Sequence, residues 1–162
     1  MAEIHVPEIL ELGQQIGTLV GRTASVSESE GRNRFEKSCH VAYYVTREDA
    51  LAGFCVVDLP LAAFLGAALA MMPSETAKEE INSGELGEDL LDAYYEVANI
   101  MAALLCADGS PHVRLLGIDD AGMPFESAVL STIKDPCRRI DIQVAVDEYG
   151  SGALTILTAH IG

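Results

Sequence analysis

Hydrophobic positions along this chain recur at two periods, and the alternation between them outlines its elements. From Pro7 to Val20, the residues Ile9, Leu12, Ile16, Leu19 and Val20 return every three or four positions, which predicts a helix stopped at Gly21. Gly13 and Gly17 within it either weaken the helix or mark close packing contacts. Residues 25 to 34 are polar and read as a solvated turn between strands. His40 to Val45 and Leu51 to Leu59 carry Tyr, Val and Phe and read as a hairpin around Thr46 to Asp49. Leu61 to Met72 is apolar almost all round, which predicts a helix sandwiched between other elements and ended by Pro73. Ser74 to Asp92 holds seven acidic residues and one lysine, and reads as a mobile loop or the approach to the next helix.

Glu88 to Cys106 gives the strongest helical pattern in the chain, stopped by Asp108 to Pro111. At 100° per residue, Leu90, Tyr94, Val97, Met101 and Leu104 fall within about 80° of one another and form the expected buried face. Leu91, Tyr95, Ala98, Ala102 and Leu105 fill one flank. Asp92, Glu96 and Asn99 lie opposite, within about 60°, and Ala103 and Cys106 continue their line. An asparagine between Ala98 and Ile100 costs helix propensity, because its amide competes for backbone bonds. Spacing alone is equally compatible with a solvated helix face.

The period then shortens to two. His112 to Ile118, Glu126 to Ile133, Arg138 to Val146 and Ala153 to Ile161 are strand-like, and Ile140, Ile142, Val144 and Val146 alternate with Asp141, Gln143 and Ala145. Strands following helices, without βαβ alternation, predict an α+β fold with an antiparallel-rich sheet, packed helices and one long central helix. Each half opens with a helix and continues into a meander, which suggests a faint internal repeat.

Length and charge narrow the function. The 162 residues are 49% hydrophobic and suit one domain, 1–162. The formal charge of -15 repels phosphate backbones and anionic lipid, so no nucleic acid is expected as a partner. The longest apolar run, the 14 residues from Leu59 to Met72, is shorter than the roughly 20 a membrane span needs. Met1 to His5 has no secretory pattern, and the expected location is cytoplasmic. Cys39, Cys55, Cys106 and Cys137 lack ligand spacing and read as buried thiols. His5, His40, His112 and His160 are dispersed, and no metal site, Walker loop or serine–histidine–acid set is seen.

The stretch from Asp92 through Glu96 to Asn99, followed by Ile100 to Ala103, resembles the signature helix of the chemotaxis phosphatase family that includes CheC, CheX and FliY. That signature is an acidic or serine residue, three residues, Glu, two residues and Asn. A proline follows in the family, here Pro124, two residues beyond the usual spacing. The first helix offers only Pro7, Glu11 and Gln14 in the corresponding places, so a single-site, CheX-like arrangement fits best.

The resemblance implies hydrolysis of the aspartyl phosphate on a phosphorylated CheY-like receiver domain in chemotaxis or two-component signalling. Asn99 would orient the attacking water and Glu96 would engage the regulator's lysine, with Asp92, Ala103 and Pro124 in the docking surface. The chain itself would bind no cofactor, and Mg2+ would belong to the partner. The alternative is a catalytically degenerate interaction, flagellar-switch or scaffold protein of the same fold. An exposed strand edge would admit a homodimer.

Overall fold

The computed structural model describes residues 3–31, 35–120 and 127–161. In chain order the elements are α1 (Ile9–Val20), β1 (Ala24–Glu28), β2 (His40–Thr46), β3 (Leu51–Val57), α2 (Leu59–Leu69), α3 (Ser74–Ser83) and α4 (Glu88–Met101). A 3-10 turn (Ala102–Leu105), β4 (Val113–Asp120), α5 (Ser127–Lys134), β5 (Arg138–Val146) and β6 (Gly150–Thr158) complete the series. This is an α+β fold, built on one antiparallel sheet in the order β1-β5-β6-β3-β2-β4.

That order reads the same from either edge once β1, β2 and β3 are exchanged with β4, β5 and β6. The first strand of each half pairs with the hairpin of the other, so the two halves share one sheet. The expected repeat is therefore present in topology, with α1 leading into β1 as α4 and its 3-10 turn lead into β4.

Strand alternation sorts the side chains into two cores. Ala42 and Tyr44 of β2, Cys55 and Val57 of β3, Ile140, Ile142, Val144 and Val146 of β5, and Leu154 and Ile156 of β6 pack beneath α1, α2 and α4. On the opposite face, Val41, Phe54, Val56 and Leu157 form a smaller core with Val129 of α5.

The sandwiched helix is α2, buried from Leu61 through Ala68. Its start is fixed by Asp58, whose Oδ1 accepts from the Leu61 N–H at 2.9 Å while Oδ2 accepts from the Ala153 N–H at 2.9 Å. One half-buried carboxylate thus caps a helix and ties it to β6. Asp58→Ala is expected to lower stability by about 2 kcal/mol, since a cap and a strand contact are lost together; urea denaturation checks it. In α1 the two glycines are packing positions. A Cβ on Gly13 would lie 3.0 Å from the Val26 methyls, and one on Gly17 would lie 2.6 Å from the Arg22 carbonyl oxygen.

Three expectations require correction. The polar stretch at 25–34 contains an edge strand, β1, pinned by pairing Val26 with Val144. The acidic stretch forms helix α3, which buries only Ala77 and ends at Gly84 in the left-handed region (φ 91°). The expected strand at 126–133 is helix α5; Val129 and Thr132, three apart, face the small core. Position 126 itself lies outside the described residues, as does Pro124. The long helix expected from Glu88 is present as one joined helix, α to Met101 and 3-10 from Ala102 to Leu105.

Candidate functional site

Helix α4 begins at Gly87, whose N–H donates to the Glu80 carboxylate, and Glu88 and Asp89 occupy the first turn, where the helix dipole favours them. Leu90, Tyr94, Val97 and Met101 are buried against α2 and the sheet, as the periodicity predicts, while Leu104 at the end of that face is half-buried. At the crossing with α2, a Cβ on Gly66 would stand 3.0 Å from the Leu90 carbonyl oxygen and 3.2 Å from the Tyr94 nitrogen. The two helix backbones approach that closely only because Gly66 has no side chain.

The opposite face of α4 is open. Asp92, Glu96, Asn99 and Ala103 are all exposed and follow one line along the helix. Among the described residues, the side chains of Glu96 and Asn99 have no hydrogen-bond or ion-pair partner, so both polar ends face outward unengaged. The flank differs from expectation. Ala98, Ala102 and Leu105 are buried, whereas Leu91 and Tyr95 are 40% and 46% exposed. Ile100, on the other side of the polar line, is 40% exposed. The result is a polar line bordered by large apolar side chains, the composition of a docking surface with a chemically specific centre.

Beneath this face lie Tyr44, Cys55 and Tyr94. The Tyr44 hydroxyl donates to the Ala98 carbonyl oxygen at 2.7 Å, across 54 positions of sequence. The Tyr94 hydroxyl is buried without a partner among the described residues, and its ring is tilted against His40 with centroids 6.1 Å apart. Burial pushes the Cys55 thiol up to about 12 and holds both tyrosine hydroxyls well above their ordinary range. Raised folded-state values make stability complete below the unfolded-chain values and diminish it as pH climbs from near 9 toward 12. In that window each group that ionises only on unfolding costs about 1.4 kcal/mol per pH unit. Denaturation between pH 7 and 11 is expected to show a plateau and then this alkaline loss, with the onset delayed in Cys55→Ser.

The other sequence candidates fall elsewhere. Cys39 is also buried, whereas Cys106 and Cys137 are half-buried, and none of the four is in a disulfide. His112 lies 3.9 Å from the Cys106 sulfur, and His160 lies 3.5 Å from Asp135. Among the described residues no helix is long and apolar enough to cross a membrane. Sequence reasoning missed Tyr44, whose contact with α4 has no local pattern to announce it.

This architecture is the fold shared by CheC-like, FliY and FliM proteins. FliY from Thermotoga maritima superimposes with a TM-score of 0.56 at 15% identity, over 91% of this chain and 81% of that one. A CheC-like superfamily protein from Shewanella sp. PV-4 gives 0.53 at 12% identity, covering 92% of each chain. A chain of the FliG–FliM complex from H. pylori gives 0.52 at 7% identity, over 93% of this chain and 86% of that one. No family model matches the sequence, and no curated protein does. The likeness is one of fold, and it is spread over CheC-like, FliY and FliM structures alike.

Proposed function

We propose that the outer face of α4 docks a phosphorylated receiver domain and that Glu96 and Asn99 accelerate hydrolysis of its aspartyl phosphate. The observation that carries this reading is the pair itself: a carboxylate and an amide one helical turn apart, exposed and unpartnered, within an apolar border.

The chemistry asks little of this chain. The oxygen of water forms a bond to phosphorus while the bond to the regulator's carboxylate breaks; that carboxylate leaves with the electron pair, and the water's protons stay with the released phosphate, which exchanges them with solvent. The acyl phosphate is already activated, and the magnesium that offsets its charge belongs to the regulator. An asparagine amide has no useful pKa, so Asn99 aligns the water and does not deprotonate it. Glu96 accepts a charge-assisted bond from the regulator's lysine, fixing the register of docking. Asp92 lies one turn before Glu96 and Ala103 one turn after Asn99, the latter small enough for close approach. Pro124, which the family pattern would add to the docking surface, lies outside the described residues.

A second reading is a docking component without turnover. Its support is the fold, shared with FliY and with a chain of the FliG–FliM complex. Taken alone, the fold favours this second reading, because a scaffold does not carry chemistry with it; the side-chain pair favours the first. Both place the partner on α4. Phosphate release from a phosphorylated receiver domain, followed with and without this chain, separates them. Acceleration over the receiver's own decay is expected. Saturable binding without acceleration would leave docking as the function.

A further inference from the structure

The end of α4 departs from regular geometry at the point where the site lies. In an unbroken α-helix the Ala98 carbonyl would receive the Ala102 N–H. Here that carbonyl takes the Tyr44 hydroxyl, and the N–H groups at the helix end turn to the carbonyls of Asn99 and Ile100. Met101 (φ -61°, ψ -19°) already has the tighter winding, and the chain continues as a 3-10 turn through Leu105. The residue next to the engaged carbonyl is Asn99.

Tyr44 is itself aimed by an irregularity. The β2–β3 register shifts between Tyr44 and Val45, and the β2–β4 register shifts between Tyr43 and Tyr44. Breaks of this kind turn a strand and redirect its side chains. Tyr94 supplies the contrast. It is equally buried in the same core, yet among the described residues its hydroxyl has no partner.

We infer that Tyr44 is a positioning residue for the α4 site, its hydroxyl holding the Ala98 carbonyl so that the helix tightens at Asn99 and presents the amide at one fixed angle. This deepens the function proposed above and rests on it. A water-orienting amide acts only through its placement, and a displacement of about 1 Å is enough to cost up to 10²-fold in rate.

The test compares the full-length chain with Tyr44→Phe, Tyr94→Phe and Tyr44→4-aminophenylalanine, the last restoring a donor at the ring's far end. Two readouts are taken. One is kcat and KM for dephosphorylation of a phosphorylated receiver domain. The other is the NMR positions of the Asn99 side-chain amide and the Ala102 backbone amide, which need no activity. Tyr44→Phe is expected to lower kcat about tenfold at unchanged KM and to move both resonances. The amino analogue should bring both back toward wild type, and Tyr94→Phe, which removes the unpartnered hydroxyl, should leave kcat unchanged. If Tyr44→Phe leaves the Asn99 and Ala102 resonances in place, or lowers kcat no more than Tyr94→Phe does, the positioning role is wrong. Should the wild-type chain accelerate no receiver's decay, the hydrolytic reading fails separately, and the resonances alone decide whether Tyr44 sets the geometry.

Discussion

Asn99→Ala is expected to lower turnover of a phosphorylated receiver domain by about 10²-fold while changing KM little, because in the proposed mechanism the amide contributes only orientation of water. The position is exposed and unpartnered, and alanine is the better helix former, so the variant should be at least as stable as the wild type. Loss of rate therefore cannot be attributed to unfolding. Glu96→Ala should give the opposite division, raising KM by about tenfold or more through loss of a charge-assisted contact, with kcat at saturation less affected. Steady-state kinetics on the three proteins, with circular dichroism for the fold, make the comparison. Equal kcat for wild type and Asn99→Ala would remove the amide from the mechanism.

The largest expected effect on stability lies beneath the site, at Gly66. A side chain there meets the backbone of α4 at Leu90 and Tyr94, and a backbone cannot swing aside as a flexible side chain can. Gly66→Val is expected to cost about 3 kcal/mol or more by forcing the two helices apart. Gly66→Ala should cost less, because its gain in helix propensity of about 1 kcal/mol offsets part of the clash. Urea midpoints at unchanged slope would establish this order. Since α2 supports α4, both variants should also disturb the Asn99 geometry and lower turnover in the same order.

Much of this architecture could be read from residue order because burial imposes a period. Helices α1 and α4 each bury one face, so Leu12, Ile16 and Val20, or Leu90, Tyr94, Val97 and Met101, return at helical intervals. In α2 burial on all sides removes the period, but length and composition remained sufficient. Helix α5 was misread for a physical reason. Its eight residues include Val129, Thr132 and Ile133, which favour strands, and the segment spans too few turns for a period to emerge. Strand β1 has only two half-buried apolar side chains, Ala24 and Val26, and its conformation is set by its neighbour β5. The polar line of α4 was visible as spacing, and a family resemblance gave that spacing a chemical meaning. The Tyr44 contact was invisible, because nothing local links a strand hydroxyl to a carbonyl 54 residues away.

The symmetric order of the sheet bears on how such a surface can change. On α1, Glu11 and Gln14 are exposed at the same interval as Glu96 and Asn99 on α4, while Leu12, Ile16 and Val20 stay in the shared core. Inward faces are constrained by packing, and outward faces are constrained only by what they touch. A single chain thereby holds two comparable platforms, of which one keeps a short amide and the other a longer, more flexible one. Folding and chemistry are selected on different sides of the same helices, so either platform is free to diverge, specialise or fall silent without endangering the structure that supports both.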